Sequence, residues 1–115
     1  MEWEALFERE RGRVEDTAVN ACLRPLVSLD GAAIATTEGI GSTRETLDPV
    51  QFRVAAYNGS QCGYCTSGMI MAAKALLART PNPTLEQVKQ GLAGSLCRCG
   101  THTRILRAVM RAARV

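Results

Sequence analysis

The sequence predicts a mainly α fold: a four-helix bundle with pseudo-twofold symmetry, preceded by a short helix and two short extended segments. Three observations lead there. Helix starts and stops recur from residue 48 to the end, two turns that each hold a pair of cysteines interrupt them, and 115 residues leave room for one small domain or a compact helical unit with an appendage. A chain of this length buries only about two-thirds of the surface its unfolded form exposes, so a metal or a partner subunit would help to hold it.

Residues 2 to about 17 put Trp3, Leu6, Phe7 and Val14 on one face at helical spacing, with Glu4, Glu8, Arg9 and Arg13 elsewhere. This predicts an amphipathic helix packed on the domain or a partner; acids within its polar face argue against a membrane surface. Residues 18–23 and 32–37 are small and β-branched, with Asp30-Gly31 between them as a turn signal, and predict two short strands too few to form a sheet alone. The stretch from Glu38 to Glu45 reads as a loop. A boundary falls there, separating an N-terminal region, 1–47, from a helical domain, 48–115.

In that domain Asp48 caps a first helix, with Pro49 at its first position, Gln51 three after the cap and Asn58-Gly59 closing it. A second helix spans about Ser67 to Arg79, with Met69, Ala72, Ala73, Leu76 and Leu77 on one face. Pro81-Asn82-Pro83 breaks the chain, and Thr84 with Gln87 opens a third helix whose face is Leu85, Val88 and Leu92. The fourth runs from about Thr103 to Ala113 and carries Ile105, Ala108, Val109 and Ala112. Each half of the domain is a helix, a cysteine turn and a second helix, so a pseudo-twofold arrangement would bring the two turns face to face.

Composition excludes several functions. Fourteen Lys and Arg against 11 Asp and Glu give a net charge of +3, and two Tyr, two Phe and one Trp supply little to stack on bases, so no nucleic acid is expected. No apolar run approaches the roughly 20 residues that span a bilayer, and the opening MEWEALFERERGR alternates charges where a signal peptide would not. A soluble, cytoplasmic chain is the expectation. Five cysteines, an odd count, then suit a four-ligand metal site with one thiol to spare.

Cys62-Gly63-Tyr64-Cys65 is a C-x2-C turn and Cys97-Arg98-Cys99 a C-x-C turn, with 31 residues between them. Both lie where one helix ends and another begins, so the free amides and positive end of the following helix would stabilise a negative metal–sulfur centre. Four such thiolates suit zinc or an iron–sulfur cluster. The single C-x-C and the helices between the turns argue against a zinc ribbon and favour iron–sulfur. Four buried thiols without metal, and a thiol–disulfide pair at Cys62 and Cys65, remain as alternatives, the latter disfavoured by the lack of a βαβ context.

The runs QCGYCTSGMIMAAKALL, NPT and GSLCRCGTHTRILRAV resemble the C-terminal helical 2Fe-2S domain of the molybdenum hydroxylases, the xanthine dehydrogenase and aldehyde oxidoreductase family, over about residues 48–112. The CRCGT ending, in place of the more usual CRCTGY, looks like the branch that oxidises N-heterocycles. The resemblance implies one 2Fe-2S cluster on Cys62, Cys65, Cys97 and Cys99, with Gln61 and Cys99 approaching the molybdopterin of a large partner subunit. It implies an electron-transfer subunit of an oxidoreductase, not catalytic alone, passing electrons onward, with a flavin or cytochrome subunit as a further partner. The rival is a structural zinc-binding or metal-free interaction module.

The segment VNACLRPLVSLDGAAIATTEGI resembles the tail of the family's N-terminal ferredoxin-like domain, with Cys22 at the place of a fourth ligand. No other cysteine precedes it, so Cys22 is expected not to bind metal. Either the chain is a truncated or altered member whose first residues form an unrelated helix, or another polypeptide completes that fold. Arg98 is a solvated side chain or a charge stabilising the reduced cluster. His102 is expected at the surface or an interface, since four thiolates suffice, and Met69 and Met71 in the core. No Ser-His-Asp set, phosphate loop or paired acids is present.

Overall fold

The computed structural model describes residues 3–10 and 13–114, with side chains described from Glu15 to Arg114. Two strands come first, β1 (Trp3–Glu10) and β2 (Arg13–Asn20), paired antiparallel from Trp3↔Asn20 to Glu10↔Arg13. A third, β3 (Ala33–Ala35), pairs antiparallel with the other edge of β1 through Leu6↔Ile34, giving the order β2-β1-β3.

The helix expected over residues 2–17 is therefore corrected to a hairpin. A helix this short is marginal alone, whereas β1 is bonded on both sides, once to a segment almost 30 residues away that local periodicity does not register. The side chains of Trp3, Leu6, Phe7 and Val14, which suggested an apolar helical face, lie outside the described residues. The first predicted strand also shifts, ending at Asn20. There the Asn20 side chain accepts a 3.1 Å hydrogen bond from the Cys22 amide and starts a 3-10 turn, Ala21–Leu23. A second such turn, Leu26–Leu29, follows Pro25.

Part of the predicted loop is a single helical turn, α1 (Thr37–Ile40). Gln51 fixes it: the Gln51 Nε2 donates to the carbonyls of Thr37 and Gly41 at 2.9 and 3.3 Å, while its Oε1 accepts from the Asp48 amide.

Four longer helices follow: α2 (Pro49–Ala56), α3 (Thr66–Arg79), α4 (Leu85–Leu92) and α5 (His102–Ala112). Both predicted capping boxes form, Asp48 with Gln51 and Thr84 with Gln87. Asn58, at φ +52, closes α2, and the Gly59 amide donates back to the Val54 carbonyl at 2.8 Å. Helix α2 packs on α5 and α3 on α4, with α2 against α3 and α4 against α5 completing the bundle.

The buried set of α3 includes Met69, Ala72, Ala73 and Leu76, and that of α5 is Ile105, Ala108, Val109 and Ala112, the same helical spacing in both. Val50 and Val54 from α2, and Val88 and Leu92 from α4, close the core. Each fully buried Val, Ile or Met side chain here contributes roughly 1.5–3 kcal/mol. Helix α3 also packs on β1 and β2, so it lies between sheet and bundle. Among the described residues no helix is long and apolar enough to cross a membrane.

Candidate metal centre

The two cysteine turns, far apart in sequence, meet at one end of the bundle. All four of Cys62, Cys65, Cys97 and Cys99, with Tyr64, Leu96 and Arg98, line one open cavity of about 370 Å³. A larger cavity of about 520 Å³, between Tyr57, α4 and α5, contains no cysteine. Each turn needs one glycine in the left-handed region, Gly63 at φ +86 and Gly100 at φ +80, where a side chain would be strained.

The helices before the turns, α2 and α4, start with side-chain caps. The helices after them do not: Cys65 stands at the N-cap of α3 and Thr101 at that of α5, and neither side chain caps its helix. The positive ends of both helices thus stand, without a side-chain cap, where four thiolates would gather.

The thiols stand as two pairs. Cys62 shares a hydrogen bond with Cys99, and Cys65 with Cys97. Cys62 is lowered from the ordinary thiol range, chiefly by the Tyr64 backbone amide and then by Cys99. Cys97 is pulled down to about 6, first by the Thr101 hydroxyl, 3.1 Å from its sulfur, and then by the Thr101 amide. Burial, and then the shared bond with Cys97, raise Cys65. The Cys62 backbone amide pulls Cys99 down, but the bond shared with the Cys62 thiol, desolvation and neighbouring thiolates outweigh it and raise Cys99. A metal centre would take the place of the shared protons. Among the described residues no three His, Cys, Asp or Glu side chains are gathered tightly enough to hold one single ion.

The remaining candidates separate clearly. Gln61 is exposed beside Cys62, and Arg98 is exposed on the cavity wall. His102 is exposed, as expected, and its ring Nε2 bonds the Cys97 carbonyl at 3.2 Å. Met69 and Met71 are fully buried. Cys22 is exposed on the turn after β2 and does not line the cysteine cavity. Thr101 was not singled out in the sequence; its position just before a helix marks it as a cap, which conceals its contact with sulfur.

A family model described as a [2Fe-2S] binding domain matches residues 36–110. Aldehyde oxidase 1 of Oryctolagus cuniculus is 49% identical over 102 residues, 89% of this chain and 8% of that protein. Xanthine dehydrogenase/oxidase of Felis catus is 43% identical over 108 residues, 94% of this chain and again 8% of the relative. The chain thus spans under a tenth of the length of these curated relatives. An aldehyde oxidoreductase structure from Desulfovibrio gigas superposes with a TM-score of 0.84 at 34% identity, covering 98% of this chain and 12% of that one. The chain belongs to the 2Fe-2S-binding domain family, the iron–sulfur portion of the molybdenum hydroxylases that include the aldehyde oxidases and xanthine dehydrogenases.

Proposed function

We propose that the chain holds one 2Fe-2S cluster on Cys62, Cys65, Cys97 and Cys99 and carries electrons one at a time away from a molybdopterin bound by a large partner polypeptide. The observation that carries this reading is the convergence of both cysteine turns on one cavity, beside two helix N-termini that no side chain caps. The donor set fits: four thiolates are the usual ligands of such a cluster, and two pairs suit two irons with two thiolates each. When bound, the cluster supplies one-electron acceptance and release.

The chain's own residues do the rest. Cys62 and Cys99 are exposed and Cys65 and Cys97 half-buried, which turns one edge of the site outward. Gln61 and Cys99, both exposed, would meet the pterin; Tyr64 and Leu96, both largely exposed, would be covered by the same partner. A flavin or cytochrome subunit would receive the electrons, in the cytoplasm. We further infer a boundary at residue 47 and a pseudo-twofold axis relating α2-turn-α3 to α4-turn-α5. The paired capping boxes, the pairing of α2 with α5 and α3 with α4, and the matching buried sets of α3 and α5 support that symmetry.

Anaerobic purification tests the proposal. About two iron and two sulfide per chain, with visible charge-transfer bands, are expected. A colourless zinc protein, or one without metal, would overturn it, and four irons per chain would sink the single-cluster reading.

A further inference from the structure

Thr101 occupies the N-cap position of α5, yet its hydroxyl does not cap the helix. In α2 and α4 the side chain at that position does cap, Asp48 accepting from the Val50 amide and Thr84 from the Gln87 amide. Threonine is favoured at helix starts because its oxygen satisfies a free amide there. Here the chain reverses at Gly100 and the hydroxyl is turned the other way, to 3.1 Å from the Cys97 sulfur. Thr101 is only 3% exposed, so water does not compete for the contact. His102, next in sequence, reaches the Cys97 carbonyl and not its sulfur.

We propose that Thr101 is a positioning residue of the centre, its hydroxyl donating to the Cys97 sulfur and thereby raising the reduction potential of the cluster. This rests on the four-thiolate reading above. A metal-bound thiolate has no proton to give, so the threonine must be the donor. On reduction one electron enters the cluster, its charge becomes more negative by one, and the cysteine sulfurs carry part of that charge. A hydrogen bond to one sulfur stabilises the reduced form more than the oxidised form. No bond is made or broken, and the proton stays on Thr101 Oγ1.

The test uses the full chain, purified anaerobically, with iron and sulfide counted and the reduced signal followed by electron paramagnetic resonance during a dithionite titration. Thr101→Val is expected to lower the reduced-to-oxidised ratio at a fixed potential about tenfold, which for one electron is about 59 mV. Thr101→Ser is expected to keep the wild-type potential. A cluster-loaded Thr101→Val with the wild-type potential would overturn the proposal while leaving the four-thiolate reading intact; a wild-type chain without iron would overturn that reading instead. If Thr101→Val loses its cluster, Thr101→Ala is read in its place. Loss from both, with retention in Thr101→Ser, would overturn redox tuning in favour of a purely structural role.

Discussion

Cys97 and Cys22 carry the same thiol in different surroundings, and iron content should separate them. Cys97 is half-buried, beside Cys65 and under the Thr101 hydroxyl; Cys22 is exposed on the turn after β2. Cys97→Ser is expected to remove most of the iron, because a serine oxygen is a harder and more weakly acidic ligand than thiolate. Cys22→Ser is expected to leave iron unchanged, as measured by metal analysis of anaerobically purified protein. The cysteine turns were legible in the sequence because ligands on one turn must lie two or three residues apart. Thr101 was not: a threonine before a helix has a common reading as a cap, and only the Gly100 reversal turns it to sulfur.

At the scale of elements, two matching caps differ in what surrounds them. Thr84 is exposed and bonds only within its capping box, so Thr84→Ala is expected to cost about 1 kcal/mol. Asp48 is buried, caps α2 and also pairs with Lys74 of α3, so Asp48→Ala is expected to cost roughly 2 kcal/mol in urea unfolding. Ile105, 1% exposed where α5 meets the bundle, is expected to cost about 2–5 kcal/mol as alanine. These helices were legible because their starts and apolar faces are local signals. The N-terminal hairpin was hidden by apolar residues, Trp3, Leu6, Phe7 and Val14, that happen to recur at helical spacing, while β1 draws its stability from pairing with β2 and distant β3.

For the whole molecule, the cysteine turns belong to two different helical hairpins, so a metal centre would link α2-α3 to α4-α5 beyond what their shared core provides. Chelating it is expected to lower the melting temperature and reduce helical circular dichroism; an unchanged melting curve would mean that the bundle core suffices alone. Leu23, Leu26 and Val27 are at least 80% exposed on the turns after β2 and form an apolar surface that a partner would cover. The purified chain alone is expected to self-associate in size-exclusion chromatography and to give a defined complex with a molybdopterin-bearing large subunit. A monodisperse monomer that ignores that subunit would favour a standalone module.

The position of α3 between the sheet and the other helices sets an order in which the molecule opens. Met71 and Ala75 are buried but lie outside the bundle's apolar cluster, and β1, β2 and α1 also pack on α3, while Met69, Ala73 and Leu76 belong to the cluster. No opening of the hairpin alone, or of α4 and α5 alone, releases both flanks. The backbone amides of α3 should therefore exchange with deuterium only through global unfolding, more slowly than those of α4, which has a solvent face along its length. Unfolding would then begin at the edges and reach the helix that follows Cys65 last.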